Sequence, residues 1–322
     1  RQALKSRQFV ITFSVLLFAA LAWTIVGSLT MMPQIYTTPS APRMLIGYYL
    51  VLALPMLLVV PLAAYRSLEG EIDDGTLELL SISTLTPWQI VLGKLASAML
   101  QMMLYFVALF PCVAYAYTLR GVDLPTTMLI MAALIVAGIL LTIVALFFAP
   151  LTRSRTGRIT TLLATMAILM AAEWGLAFLM IGMILYGNPL TTGQLYFTVT
   201  ATILIAAAIG HLLLTATAAQ LTPESENRST HIRLSIMGLT AVFLGVGTLA
   251  ALMLNREGIP VVVTLIMILG VLWTACSSMM AAESPAMTPR IRRELPSSFF
   301  ARCTLTWLTP GPATGLAFSV IN

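Results

Sequence analysis

Residues 129–148 read LIMAALIVAGILLTIVALFF, twenty positions without a charge. At helical rise such a run extends about 30 Å, the thickness of a bilayer's hydrocarbon core. Apolar runs of comparable length recur along the chain, at about 9–31, 45–65, 88–118, 127–150, 159–187, 194–219, 233–254 and 259–282. Lipid offers no partner to a free backbone N–H or C=O, so a spanning segment is a helix or part of a closed barrel. The runs lack the in-out alternation of barrel strands, which leaves helices. The expected fold is therefore all-α: a polytopic membrane protein with about eight transmembrane helices. Composition agrees, since only 9% of residues are charged and 59% are hydrophobic, whereas a soluble domain is about a quarter charged. Pro55, Pro61 and Pro111 fall inside spans, where neighbouring helices can cover the carbonyls a proline frees.

The basic residues orient these spans. Fourteen of the seventeen Lys and Arg lie on one side: Arg1, Lys5, Arg7, Arg66, Lys94, Arg153, Arg155, Arg158, Arg228, Arg233 and four in the tail. The opposite side has Arg43, Arg120 and Arg256. The positive-inside rule then places the N-terminus, the 66–94 loop and the tail in the cytoplasm. On that topology the nominal glycosylation triplet Asn227-Arg228-Ser229 faces the cytoplasm, and the longest external loop, roughly 32–44, is too short for a binding domain. The +5 net charge is spent on topology, and nucleic acid is not an expected partner.

Catalytic chemistry finds little foothold. Cys112, Cys276 and Cys303 have no metal-ligand spacing. His211 and His231 belong to no HExxH motif, there is no nucleophile elbow, and no G-x-x-x-x-G-K-[ST] loop cradles a phosphate. No cofactor is expected in this chain. The nineteen methionines are dispersed and read as flexible apolar packing.

One segment stands apart. In GEIDDGTLELLSISTLTPWQIVLGK, residues 70–94, and the residue before it lie five of the chain's twelve acidic side chains, between Glu69 and Glu78. Thr76 is placed to N-cap a short helix LELLSI whose Leu77, Leu79, Leu80 and Ile82 form an apolar surface. Thr86-Pro87 opens a second helix that continues into the third span. A bare connector needs neither caps nor apolar teeth. An interfacial helix would be repelled by an anionic leaflet, so a protein partner with a positively charged groove fits the segment better.

These residues resemble the cytoplasmic signature of ABC-2-type transporter permeases, the transmembrane subunits of many exporters. Glu71 and Asp73 match its acidic pair and Gly75 to Leu80 its GTLELL core. Leu85 and Pro87 match its turn, and Ile90, Val91, Gly93 and Lys94 its helix start. Ile72, Thr84 and Trp88 depart from the usual residues. The basic lead RQALKSRQF into the first span is also similar to that family. The resemblance implies a multi-pass protein of the plasma (bacterial inner) membrane, working as a homo- or heterodimer of permease units. It implies that ATP is hydrolysed on a separate ABC-type ATP-binding subunit. Glu71, Asp73, Gly75, Thr76, Leu77, Glu78, Leu79, Leu80 and Pro87 would then couple that hydrolysis to the spans. Residues 1–222 would form the six-span permease unit with its coupling loop at 66–94. Residues 223–322 would add two spans and a cytoplasmic tail, and the chain reads as part of a longer one. Phe299, Phe300 and Trp307 among the basic tail residues suit either contact with the anionic inner surface or ordinary anchoring.

Glu173 is the one acidic residue deep within a span, a default functional candidate. It can face a pathway, relay a proton, or sit protonated against a neighbouring helix. His211 reads as a helix-packing hydrogen bonder, and Gln101 shares that ambiguity. The alternatives to an ATP-driven permease are a proton-coupled carrier using Glu173 and a membrane scaffold that transports nothing.

Overall fold

The structure, a computed structural model, describes residues 7–32, 39–75, 86–119, 121, 124–152, 154–187, 191–223, 226–253, 258–281, 298–299 and 306–321. All regular structure among them is helical. In chain order the helices are α1 (Arg7–Met31), α2 (Ala41–Leu54), a π-helical turn (Pro55–Val59), α3 (Val60–Asp73), α4 (Pro87–Thr118) and α5 (Leu124–Phe148). Then follow α6 (Arg155–Tyr186), α7 (Thr192–Leu221), α8 (Ser229–Met253), α9 (Gly258–Ala281), a short 3-10 turn (Thr306–Leu308) and α10 (Pro312–Ile321). Eight helical rods are long and apolar enough to cross a membrane, and each coincides with one sequence-predicted span. The chain is a multi-pass helical membrane protein.

The largest shift concerns the second rod. Apolarity alone suggests 45–65, but the helix runs unbroken from Ala41 to Asp73. Gly70, the one glycine after Tyr65, does not stop the rod, and the charged stretch stays helical up to the Asp74-Gly75 turn. At 33 residues the rod is about 50 Å long, well beyond the hydrocarbon thickness. The first eight residues of the expected 66–94 loop thus belong to α3. The π turn within this rod has a local cause. Pro61 lacks an N–H, and its ring crowds the carbonyl four residues back, that of Leu57. Widening the turn around Leu57 relieves that contact, and the Val60 N–H bonds to the Pro55 carbonyl, five residues back.

By packing, the chain divides into two compact units, Arg1–Leu190 and Thr191–Asn322. The sixth apolar helix, α7, belongs to the second. In the first unit, α1 is held by hydroxyl pairs: Thr24 with Tyr48 of α2 at 2.7 Å, and Thr12 with Tyr105 of α4 at 2.7 Å. A third joins Ser28 to Tyr115 at 3.0 Å. Interhelical hydrogen bonds are among the few specific attractions available where water is absent. Gly47 lets α1 approach α2, because a Cβ there would lie 2.0 Å from the Trp23 ring. Buried Tyr65 bonds Thr161 of α6 at 3.1 Å.

In the second unit, α8 packs between α7 and α9, and α10 packs on α9. Arg233 of α8, counted on sequence as a loop charge, is 1% exposed. Its guanidinium donates to the carbonyls of Trp307 (2.7 Å), Thr309 (2.6 Å) and Gly311 (3.4 Å) and to Thr314 Oγ1 (3.3 Å). It also lies 5.8 Å from the centre of the Phe318 ring. Trp307 stacks on Phe318 at 5.5 Å, so this tail residue packs inward. Phe299 is exposed, and Phe300 lies outside the described residues. Arg233→Leu would leave these buried carbonyls without their donor, at a cost of roughly 1–3 kcal/mol. The expected result is a lower thermal midpoint and faster proteolysis after residue 297. Both can be read on the full chain in detergent.

Candidate functional site: a charged clasp at the base of the acidic loop

The acidic segment leaves α3 through a defined stop. The Asp74 N–H bonds the Gly70 carbonyl at 2.9 Å and the Gly75 N–H bonds that of Ile72 at 3.3 Å. Gly75 then takes φ +66°, a left-handed conformation that costs a glycine nothing. The chain is described again at Thr86, where the expected helix start is found. Thr86 Oγ1 accepts the Gln89 N–H at 3.3 Å, and the Gln89 side chain accepts the Thr86 N–H at 3.0 Å. With Pro87 at the first helical position, this is a complete capping box opening α4. Thr76, Leu77, Glu78, Leu79 and Leu80, with the short helix expected there, lie outside the described residues.

Glu71 and Asp73 are both engaged within the chain. Two residues apart on a helix, they point about 200° from each other around its axis, so they meet different neighbours. Glu71 pairs with Lys94 of α4, whose ammonium also donates to Ser67 Oγ at 2.7 Å and to the Ser67 carbonyl at 3.3 Å. Asp73 pairs with Arg158 of α6. The ends of α3, α4 and α6 are thereby joined on either side of the acidic segment. Glu69 lies in the electrostatic field of Asp73, Arg158 and Arg66. Both ion pairs are partly exposed, which limits each to about 0.2–1 kcal/mol of stability. Their geometry matters more than their strength. Three long rods are clamped together on either side of residues 76–85.

The other candidate stands apart from the clasp. Glu173 is half-buried on α6 and within electrostatic reach of Tyr49 of α2. Tyr49 is 1% exposed, and its hydroxyl has no hydrogen-bond partner among the described residues. Gln101 is half-buried on α4, lining a groove beside Arg66. His211 is exposed on α7. Asn227 engages Thr230 near the start of α8, accepting its N–H at 3.3 Å. Among the described residues no group of three or more His, Cys, Asp or Glu is placed to hold a metal ion. Cys303 lies outside them.

Sequence reasoning marked Glu71, Asp73 and Lys94 by their likeness to a motif, and counted Arg158 only for topology. It did not find that the first two are matched to the last two. A signal was available: two acids at the end of one rod, with a cation near the start of each of two later rods. No protein-family model, curated protein or solved structure matches this chain.

The clasp predicts a charge-reversal pattern. Glu71→Gln and Lys94→Gln should each reduce stability by about 0.2–1 kcal/mol, read as a slightly lower thermal midpoint, while the swap Glu71→Lys with Lys94→Glu recovers most of the loss. Asp73→Asn and Arg158→Gln should behave as a second coupled pair. Near 1 M salt these differences shrink, since the pairs are partly exposed and the screening length falls to about 3 Å. Thermal unfolding of the full chain in detergent micelles, at low and high salt, reads all of these.

Proposed function

We propose that this chain is the membrane-spanning permease subunit of an ATP-driven exporter of the ABC-2 type. It resides in the plasma or bacterial inner membrane with the N-terminus, acidic loop and tail in the cytoplasm. A separate ABC-type ATP-binding subunit hydrolyses ATP, and a second permease unit, identical or different, completes the transporter. The motif in residues 70–94 supports this proposal. The clasp is the observation that carries it furthest. A loop displaced by a soluble partner would otherwise flex at its two stems. Here the stems are ion-paired to each other and to α6, so a displacement of residues 76–85 is delivered to three spanning rods at once. In this mechanism Glu71 and Asp73 hold the lever together, while Leu77, Glu78 and Leu80 meet the partner.

The test is affinity purification of the full chain from its native membranes, followed by ATP-hydrolysis and flux measurements. An ABC-type ATPase should co-purify. Glu78→Lys or Leu80→Asp should release it or abolish coupled hydrolysis, by tenfold or more where a contact worth about 1.4 kcal/mol or greater is lost. Lys94→Gln should keep the ATPase bound yet reduce flux per ATP. The proton-coupled alternative draws on Glu173, within electrostatic reach of Tyr49, whose hydroxyl has no partner among the described residues. It would prevail if no ATPase co-purifies, flux follows the proton gradient, and Glu173→Gln abolishes it. A protein that binds a partner and moves no substrate under any gradient would be a scaffold.

A further inference from the structure

A groove of about 310 Å³ opens between α1, α3 and α4 in the first unit. Its walls are apolar over most of their extent, with Phe9, Val59 and Leu62 among the lining side chains. Two polar groups face it that the helix contacts do not consume. Arg66 stands exposed on α3, and Gln101 is half-buried on α4. Tyr105 also lines the groove, but its hydroxyl is paired with Thr12 at 2.7 Å. Among the described residues Arg66 forms no ion pair, although it lies in the field of Glu69 on its own helix. No hydrogen bond engages the Gln101 amide among them either.

The depths of the two groups differ in a useful way. Lys94 bonds Ser67, so it marks the level of Arg66 on the neighbouring helix. Gln101 lies seven residues further along α4, about 10 Å deeper by helical rise. From its mouth inward the groove therefore presents a guanidinium, then an amide donor among apolar side chains. A guanidinium near the hydrocarbon edge is costly unless an anion or water reaches it, and it is the side chain best matched to a phosphate.

We propose that this groove is a binding site for a phospholipid with an anionic headgroup, drawn from the surrounding bilayer. Arg66 holds the phosphate, the Gln101 amide donates to the glycerol-ester region, and an acyl chain lies along Phe9, Val59 and Leu62. A basic niche between spanning helices is the usual form of such a site. A zwitterionic lipid offers the same acyl chain and phosphate, but its cationic headgroup opposes Arg66. The preference is thus set by net headgroup charge, and the site is independent of how transport is energised.

The full chain in phosphatidylcholine nanodiscs carrying spin-labelled phosphatidylglycerol or spin-labelled phosphatidylcholine supplies the test. The motionally restricted fraction of each label gives the relative association. The protein should restrict phosphatidylglycerol in preference to phosphatidylcholine. Arg66→Gln should reduce that preference about fivefold, the factor corresponding to one basic residue near a membrane surface. Arg66→Lys should keep most of it, which separates loss of charge from loss of fold. Gln101→Leu should weaken retention of the restricted lipid without erasing the charge preference. Arg228→Gln, outside the groove, should change neither. Equal restriction of the two lipids, or a preference untouched by Arg66→Gln, overturns the proposal. So does displacement of the labelled lipid by millimolar inorganic phosphate, which would assign the site to a soluble anion.

Discussion

In the interior of a bilayer no water is available to take up a free N–H or C=O, so every backbone group there needs a partner in the chain. This constraint accounts for the helical architecture and for its local irregularity. Pro61 cannot donate, and the rod responds by widening into a π turn in which the Val60 N–H reaches back to Pro55. The exposed end of α4 is closed by Thr86 and Gln89, and that of α7 by Thr191 and Gln194.

Once the backbone is satisfied, lipid provides little hydrophobic drive between helices, because acyl chains are as apolar as leucine. Specific contacts then fall to the sparse polar side chains. Thr12, Thr24 and Ser28 along α1 each meet a tyrosine of another helix. Arg233 gathers carbonyls from the segment before α10. At the loop end of the first unit the same economy produces Glu71–Lys94 and Asp73–Arg158. In a chain with 29 charged residues among 322, few charges are spare, and the clasp uses four of them at one place. That concentration ties the ends of α3, α4 and α6 together beside the acidic segment.

Much of this could be read from the order of residues alone. Apolar runs located all eight rods, and the Thr86-Pro87 start followed from single-residue chemistry. These features are local: apolar length, a capping hydroxyl and a missing N–H act within a few residues of their cause. The end of the second rod was misjudged because apolarity marks where a helix is buried in lipid, not where it stops. Only the Asp74-Gly75 turn ends it, two turns beyond the apolar run.

The linear sequence by itself determined the class of fold, the number of spanning rods and the identity of the segment that departs from them. Each follows from the solvent a residue requires. Tertiary structure decided what the charged residues do. Glu71 was marked by its likeness to a motif and is held by Lys94, Arg233 looked like a topology signal and is buried, and Arg66 and Gln101 came together across a groove. Such partnerships join residues tens of positions apart, and only the rotation and depth of each helix against its neighbours set which side chains meet.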